Sequence, residues 1–405
     1  MNDLLPRKYA ALVLVAGLMA LLAWPSQAQS VRDNDVKKDS SADSRVAYPD
    51  FSWDRVPLYM HIRKEKAYTD QEIAFLAKFP LITFEKSNGN DSFGSTEAGT
   101  LAAARKVKAI NPDAKILYYR NVFIHYGGYA VNKSLESIPN ALLKNQEGQT
   151  KLVRNQVPAY DLSNAEVRRW WVDHCKEVIA DPAIDGLFLD GNIKALEPNY
   201  LRGHVGADKK RAVEAGYHQM MRQTRETLGP DQLMVANILR ARFDQGGLEY
   251  LDYFDGSYLE GFFHPVKNMS YEDYTAKGIE TMQQAARQGK LIAFTAGLAM
   301  AANNSEMGID EAHGQAKSDE DAQLAFNYAL AIFLVCAEEH SYFRAHEGYS
   351  ANNNKRWMRR FDAYDKPLGA PKGPAKKNGY RYTRRFKHAT VFLDLEKREG
   401  RIHWR

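Results

Sequence analysis

The chain has 405 residues, of which 55 are Lys or Arg and 50 are Asp or Glu, so its formal charge at pH 7 is only +5. This near balance, without a dense block of basic and aromatic residues, argues against a nucleic-acid-binding protein. The length exceeds that of an ordinary domain, but (β/α)8 barrels of about 250 residues or more are common, and one large core is therefore favoured.

The N-terminus has the pattern of a secretory signal peptide. Arg7 and Lys8 precede an apolar run from residue 9 to 24, and a small-x-small triplet ending at Ala28 follows. The run is rather short for a membrane span. We therefore predict that residues 1–28 are removed by cleavage after Ala28, and that the mature protein is periplasmic or secreted without stable membrane insertion.

The mature chain divides into three predicted parts. Residues 29–48 are polar and without periodicity, which predicts a flexible linker. Between residues 49 and 366, apolar runs typical of buried parallel strands alternate with helical patterns, and this predicts a closed (β/α)8 TIM barrel. Residues 367–405 alternate at period two and predict a small C-terminal β-hairpin appendix packed on the barrel.

Eight strands can be counted along the barrel. They are predicted at residues 56–62, 81–84, 114–119, within 183–192, 233–238, within 254–261, 291–295 and 341–345. The helices between them are predicted at residues 69–79, 95–110, 165–180, 207–228, 247–251, 271–288 and 319–338. Residues 122–160 form a long insertion after the third strand, and loops of this length are usually functional.

The two cysteines are predicted to be free. Cys175 and Cys336 fall on the third and seventh helices of the ring, which lie on opposite sides of the barrel. A disulfide needs Cα atoms within about 7 Å. We therefore expect two buried thiols.

The fourth and sixth strands both end in an acid followed by glycine, at Asp190 and Glu260. In a TIM barrel the chemistry takes place at the carboxyl ends of the strands. Cleavage of a glycosidic bond requires two carboxyl groups, one protonated and one ionised. We therefore predict Asp190 and Glu260 as the catalytic pair, and read Asp255, which lies on the other face, as structural. The alternatives are a cap or ion pair for Asp190 and a surface charge for Glu260.

Other strand-end and loop residues are candidates for binding sugar hydroxyls or rings. They are Glu85, Arg120, His125, Tyr126, His204, Asn237, Tyr258 and Glu347. Ordinary ion pairing or core packing is the alternative for each. The spacing of the histidines matches no metal motif, and no glycine-rich phosphate loop follows a strand, so we expect neither a metal nor another cofactor.

Together these motifs resemble those of bacterial barrels classed as hypothetical glycoside hydrolases, which are distantly similar to the α-galactosidase and endo-α-1,4-polygalactosaminidase groups. The resemblance rests on the Asp-Gly start and Asp end of residues 185–190, on Glu260, and on Leu-Gly-x-Pro at residues 368–371 before Arg385 and Phe386. It implies that Asp190 is the nucleophile and Glu260 the general acid/base of a retaining enzyme.

We expect a glycoside hydrolase that acts on an oligo- or polysaccharide, and the sequence leaves the sugar, the linkage and the oligomeric state open. Two alternatives also remain open. One is a polysaccharide lyase on the same scaffold, in which a Tyr, His or Lys removes the proton beside a uronate carboxylate. The other is a barrel that binds glycans without cleaving them.

Overall fold

The computed structural model describes residues 48–261, 269–298, 318–352 and 356–405. The predicted signal peptide, and the predicted linker except for its last residue, lie outside these ranges. The described part of the chain contains the predicted barrel strands and the C-terminal appendix.

The barrel consists of eight parallel strands whose order in the sheet is their order in the chain. They are β1 (Tyr59–Ile62), β2 (Leu81–Phe84), β3 (Lys115–Asn121), β4 (Gly186–Asp190), β5 (Leu233–Asn237), β6 (Gly256–Glu260), β7 (Leu291–Gly297) and β8 (Ser341–His346). The ring closes where Leu58 bridges to Phe343, whose amide donates to the Pro57 carbonyl over 2.8 Å. The predicted (β/α)8 barrel is confirmed, with small shifts in the strand boundaries.

Helices cover the outside of the barrel. They are α1 (Asp70–Leu76), α2 (Asn90–Phe93), α3 (Thr96–Ile110), α4 (Asn132–Leu135), α5 (Ala165–Ile179), α6 (Asn192–Leu196), α7 (Arg202–Val205), α8 (Ala207–Leu228), α9 (Tyr271–Arg287) and α10 (Asp319–Cys336). A 3-10 helix, Leu248–Tyr253, joins β5 to β6. At the start of α1 the side chains of Thr69 and Glu72 each accept a hydrogen bond from the other's backbone amide, which gives the helix the cap predicted at Thr69.

Tyrosine side chains fill much of the barrel interior. Tyr59, Tyr119, Tyr258 and Tyr342 are all buried there among smaller apolar side chains. A buried phenol needs a hydrogen-bond partner. Tyr342 donates to the Pro49 carbonyl over 2.7 Å at the N-terminal end of the barrel, whereas the other three bond to polar groups nearer the C-terminal end.

Aspartates just before β4 and β6 have the same structural role. Asp185 accepts a hydrogen bond of 2.8 Å from the backbone amide of Ile116, and Asp255 accepts one of 2.7 Å from that of Met234. Each also pairs with a basic side chain. Both acids therefore fix the start of a neighbouring strand, in agreement with the structural role predicted for Asp255.

The C-terminal residues form a four-stranded antiparallel sheet, not only the predicted hairpin. Its strands are β9 (Lys376–Asn378), β10 (Arg381–Arg385), β11 (Ala389–Asp394) and β12 (Glu399–Trp404). β12 lies against α10, since a Cβ added to Gly400 would be 2.6 Å from the Asn327 carbonyl oxygen. Arg384 is buried and donates to the Leu334 and Ala337 carbonyls at the end of α10. This helix is apolar nearly all round because the barrel covers one side and the sheet the other.

Cys175 on α5 and Cys336 on α10 are both buried free thiols, as predicted. Burial raises the pKa of Cys175 to about 12, so this thiol stays protonated at neutral pH. Across the described ranges, none of the helices combines the length and the apolar character that crossing a membrane requires.

Candidate active site

β4 and β6 end in the same way at the C-terminal rim of the barrel. Each strand begins at an Asp-Gly pair, packs an aromatic ring (Phe188 or Tyr258) into the barrel interior, and ends in Asp190 or Glu260. The residue after each acid is glycine, and Gly191 has φ +82°, a left-handed conformation that other residues rarely adopt. Only β5 lies between the two strands. The two carboxylates therefore stand at the same rim, two strands apart.

Three neutral side chains donate hydrogen bonds to Asp190. Tyr119 and Asn121 donate to Oδ2 over 2.6 and 3.3 Å, and Asn237 donates to Oδ1 over 3.2 Å. A Cβ on Gly191 would be 2.3 Å from the side-chain oxygen of Asn121, so this arrangement requires glycine. Because the three donors are uncharged, they orient the carboxylate while leaving its charge available for attack on an electrophile.

Glu260 has a different environment. The Arg240 guanidinium lies 3.7 Å from its carboxylate, and the Tyr349 hydroxyl donates to it over 3.3 Å. Burial raises the pKa of Glu260, and the charge of Arg240 opposes this effect. The charges of Asp190 and Glu85 raise the pKa further, so that it lies above the ordinary value. A glutamic acid that keeps its proton to higher pH is suited to act as a general acid.

Hydroxyl groups support Glu260 from within the barrel. Tyr349 is hydrogen-bonded to Tyr258 and, over 3.1 Å, to Thr295. The hydroxyls of Tyr258 and Thr295 are in turn 2.7 Å apart. Tyr258, which we expected to contact the substrate, is buried beneath Glu260. It is connected to the carboxyl group through the Tyr349 hydroxyl.

Glu85, directly after β2, is a second charged centre at the rim. Its carboxylate lies 2.7 Å from Lys86, 3.5 Å from Arg63 and 3.7 Å from His61. Burial acts to raise the pKa of Glu85, but the charges of Lys86, His61 and Arg63 lower it well below the ordinary value. Glu85 therefore stays ionised and disfavours a second negative charge at Glu260.

Lys86 connects this centre to Asp190. Its ammonium lies 5.2 and 5.3 Å from the ring centres of Tyr119 and Tyr126. Burial, the largest single influence, lowers the pKa of Lys86, but Glu85, Tyr126 and Asp190 together raise it, so the net shift is upward. Tyr126, one of the predicted sugar-binding residues, therefore lies beside the carboxylate centre.

Three of the predicted binding residues come together around the two carboxylates. They are Glu85, Tyr126 and Asn237. The side-chain oxygen of Asn237 is buried and has no hydrogen-bond partner among the described residues. Since its amide nitrogen is held by Asp190, this oxygen is free to accept a hydrogen bond from a sugar hydroxyl.

Arg120 and His125 lie away from the carboxylates. Arg120 is on the outer face of β3, where the rings of Tyr129 and Trp170 cover its guanidinium at 4.5 and 5.3 Å. His125 contacts the Tyr160 hydroxyl over 3.4 Å, and burial together with the Arg120 charge lowers its pKa to about 4. Arg120 therefore connects β3 to the insertion, and the His125–Tyr160 contact lies within the insertion. Neither residue reaches Asp190 or Glu260, and the sugar contacts expected of them stay predictions.

His204 and Glu347 are also separate from the carboxylate centre. His204 is exposed on the short helix α7. Glu347 is buried just after β8, where Arg356 and Arg359 lie 3.6 and 3.9 Å from its carboxylate. Glu347 thus belongs to an internal ion-pair cluster. The structure brings neither His204 nor Glu347 to Asp190 or Glu260.

Five residues around the two carboxylates were not singled out by the sequence: Lys86, Tyr119, Asn121, Arg240 and Tyr349. Alternation along β3 contains the signal for Tyr119 and Asn121, because they face the barrel interior with Leu117 while Arg120 faces outward. Lys86, Arg240 and Tyr349 lie in loops that follow strands. No periodic pattern fixes the direction of a side chain there.

A metal ion has no evident binding group in the part of the chain that the structure describes. No three or more His, Cys, Asp or Glu side chains are clustered there in an arrangement that could hold one.

A family model matches residues 108–390, more than two thirds of the chain. The matched range contains β3 to β8 and both strand-end acids. The chain belongs to hypothetical glycosyl hydrolase family 15. Membership of this family confirms the resemblance found in the sequence and the predicted class of enzyme, a glycoside hydrolase acting on glycans. The family match begins after β2, so Glu85 and Lys86 lie outside it.

Solved structures of glycoside hydrolases are distant matches. A debranching enzyme from Nostoc punctiforme is 10% identical, with a TM-score of 0.48 over 86% of this chain and 88% of that one. An α-galactosidase from Thermus thermophilus is 13% identical, with a TM-score of 0.45 over 87% and 68%. The glycoside hydrolase domain of PelA from Pseudomonas aeruginosa is 12% identical, with a TM-score of 0.41 over 59% and 83%. No curated protein sequence matches the chain.

Proposed function

We propose that this protein hydrolyses a glycosidic bond in an oligo- or polysaccharide, with Asp190 as the nucleophile and Glu260 as the general acid/base. The observation that supports these roles most strongly is the contrast between the two carboxylates. Asp190 is oriented by three neutral donors, whereas the pKa of Glu260 is raised by burial and by the charges of Asp190 and Glu85. Glycoside hydrolysis requires two nearby acids with different roles, and the raised pKa of Glu260 suits it to carry the proton.

In the proposed reaction, Glu260 gives its proton to the glycosidic oxygen as the bond to the leaving sugar breaks. Asp190 attacks the anomeric carbon and forms a glycosyl ester. Glu260, now ionised, then takes a proton from water, which attacks the anomeric carbon and releases Asp190. This sequence returns both carboxyl groups to their starting state and retains the anomeric configuration, as the family resemblance implies.

Asn237 and Tyr126 are the proposed substrate-binding groups beside the carboxylates. Asn237 has an unpaired buried oxygen for a sugar hydroxyl, and the half-buried ring of Tyr126 is suited to pack against a sugar face. Glu85 contributes through its charge, which helps to keep Glu260 protonated.

The test is the release of reducing ends from a panel of bacterial, algal and plant glycans. We expect the wild-type protein to release them from at least one glycan. Asp190→Asn and Glu260→Gln should abolish the release while keeping the wild-type circular dichroism and a melting temperature no lower than that of the wild type. Products that carry an ultraviolet-absorbing double bond would instead indicate a lyase. Binding without any new reducing end would indicate a non-catalytic glycan-binding protein.

We also propose that the protein is exported to the periplasm or beyond the cell. The support is the pattern of residues 1–28, with a basic start, an apolar run and a small-x-small triplet. Cell fractionation followed by N-terminal sequencing should find a protein that begins at Gln29. A cytoplasmic protein that keeps Met1 would contradict the proposal.

A further inference from the structure

Positive charge collects on one side of the carboxylate centre, beside the loops that follow β3 and β4. Lys194 belongs to α6, the helix that starts directly after Asp190 and Gly191. Its ammonium is half-buried and lies 5.0 Å from the centre of the Tyr200 ring. No acidic oxygen lies within ion-pair distance of this ammonium in the part of the chain that the structure describes. Partial burial of a lysine without a paired acid costs free energy, so the placement of Lys194 requires an explanation.

The surroundings of Lys194 are themselves basic. Burial lowers the pKa of Lys194, Asp190 acts to raise it, and the nearby charges of Arg154 and Arg242 lower it further. Arg242 is offset by Glu197, whose carboxylate is 3.6 Å away. Arg154 has no such acidic partner among the described residues. Lys194 and Arg154 therefore leave an excess of positive charge next to the carboxylate centre.

Arg154 is held at the tip of a tight hairpin in the insertion after β3. Val153 and Val157 pair across the hairpin, with hydrogen bonds of 3.0 and 3.1 Å between their backbones. Arg154 and Asn155 at the tip both have positive φ, +52° and +54°. Left-handed backbone is acceptable for asparagine but costs an arginine roughly 1 kcal/mol or more. The turn therefore presents an exposed guanidinium at a conformational cost.

Two tyrosines and Lys86 complete this surface. The charge of Arg154 acts on the pKa values of both Tyr126 and Tyr200, although burial is the largest influence on each. Lys86 lies 5.3 Å from the ring centre of Tyr126. We call the five residues Lys86, Tyr126, Arg154, Lys194 and Tyr200, which lie near one another beside Asp190, the cationic subsite.

On the opposite side of the centre, the cations within the described ranges are paired with acids. There Arg240 lies 3.7 Å from Glu260, and Arg356 and Arg359 lie beside Glu347. Each of these cations has a carboxylate of the protein as its partner. Among the residues that the structure describes, the cations Lys194 and Arg154, which have no acidic partner there, thus lie on the side of Asp190. We infer that a ligand group supplies the missing negative charge.

We propose that the cationic subsite binds the carboxylate of an acidic sugar residue in the substrate, next to the bond that is cleaved. This inference rests on the proposed function, because it names the substrate class of the same site. An ammonium over a tyrosine ring and a planar guanidinium are together suited to a carboxylate on a sugar ring, since the ring packs on the aromatic faces while the charge meets Lys194 and Arg154.

The test measures binding in the Glu260→Gln background, where the glycan stays intact and the charge of Asp190 beside Lys194 is unchanged. The probes are polygalacturonate, alginate and hyaluronate, together with carboxyl-reduced polygalacturonate as a neutral partner of the same linkage. We expect at least one acidic glycan to bind, with an affinity that falls as salt is raised. For an acidic glycan that binds, we expect its carboxyl-reduced form to bind at least tenfold more weakly.

Two substitutions localise the binding. Lys194→Gln and Arg154→Asn should each lower the affinity for the acidic glycan by about tenfold, the effect of losing one charge-assisted hydrogen bond. Asparagine at position 154 suits the left-handed backbone, so this variant should fold normally. Lys176→Gln and Arg287→Gln are matched controls, because both residues are exposed in the last turns of α5 and α9, at the other end of the barrel. They should change the affinity less than twofold.

Three results would overturn the inference: no acidic glycan binds, the carboxyl-reduced form binds as well as its parent, or the controls weaken binding as much as the variants at the subsite. Failure of the proposed function looks different. If acidic glycans bind through Lys194 but no reducing ends appear, the subsite stands and hydrolysis fails. If only neutral or amino-sugar glycans are cleaved, and Lys194→Gln cleaves them at the wild-type rate, hydrolysis stands and the subsite fails.

Discussion

Acidic side chains have different roles at the two ends of β4 and β6. At the N-terminal end, Asp185 and Asp255 each meet a backbone amide and a basic side chain, so their charges are matched within the protein. At the C-terminal end, Asp190 meets neutral donors and Glu260 keeps a raised pKa beside Arg240. Asp185 and Asp255 therefore stabilise the barrel, whereas Asp190 and Glu260 have a charge or a proton available for a reaction.

This comparison teaches that an acid beside a strand is not informative by itself. In both strands the two acids are separated by the same number of residues, and each acid is directly followed by glycine. What differs is the direction in which the neighbouring amides and cations point, which is a property of the closed ring. Mutations at the two ends should therefore separate stability from activity.

The largest expected effect is at the C-terminal end. Asp190→Asn and Glu260→Gln should each lower kcat/KM on the natural glycan by about 10³-fold or more, because each removes a group that takes part in bond breaking. The melting temperature should stay the same or rise, since a buried charge or proton-binding group is replaced by an amide. Steady-state kinetics and thermal unfolding on the same samples check both parts.

The matched substitutions at the N-terminal end should have the reverse effect. Asp185→Asn removes the ion pair of 2.9 Å with Lys108, and Asp255→Asn removes the contact of 2.5 Å with Arg225. Each should lower the free energy of unfolding by about 1–3 kcal/mol, the cost of leaving partly buried groups unpaired. Denaturant titration measures this loss. A fall in kcat of more than about tenfold, under conditions in which the variant is folded, would show that the ends are not separate.

A smaller effect is expected for the orientation of Asp190. Tyr119→Phe removes the hydrogen bond of 2.6 Å to Oδ2 and should lower kcat about tenfold with little change in KM, which corresponds to about 1.4 kcal/mol of transition-state stabilisation. Tyr342→Phe is the control, because its hydroxyl bonds to Pro49 at the other end of the same interior. If both variants lower kcat equally, the effect is general packing and not orientation.

The smallest effect is a shift in pH dependence. If Glu260 must be protonated to act, the rate falls as the pH rises through its pKa. Burial raises this pKa, and Arg240 opposes the rise. Arg240→Gln should therefore raise the pKa further and move the alkaline limb of the kcat/KM profile to higher pH. Tyr349→Phe should move it in the same direction, because the Tyr349 hydrogen bond also lowers this pKa. Arg287→Gln should leave the limb in place, and a shift to lower pH in Arg240→Gln would contradict the assignment of the acid.

The fold could be predicted because strand and helix periods are local. Eight apolar runs alternating with helices give the barrel without knowledge of any contact, and the structure confirms their order. The count also placed Cys175 and Cys336 correctly as buried free thiols. In the C-terminal sheet, strand β9 was missed because it has only three residues, all exposed.

Most of the predicted residues that lie near Asp190 and Glu260 end a strand or, like Glu85, directly follow one. Asp190, Asn237 and Glu260 were singled out because they end strands. The alternation that places Asn121 beside Asp190 would also have placed Arg120 on the outer face. Tyr349 lies in a loop, and its contact with Glu260 joins residues 89 positions apart in the chain. Such contacts depend on the closure of the ring, which no local pattern encodes.

The most direct test of the central claim compares two substrates that differ only in their leaving group. Once the sugar is known, its natural glycan and its 2,4-dinitrophenyl glycoside can be given to Asp190→Asn and Glu260→Gln. The dinitrophenolate leaves without a proton, so we predict that Glu260→Gln still releases it while failing on the glycan, and that Asp190→Asn fails on both. Release by Asp190→Asn but not by Glu260→Gln would contradict the assigned roles, and wild-type rates in both variants would exclude the pair from catalysis.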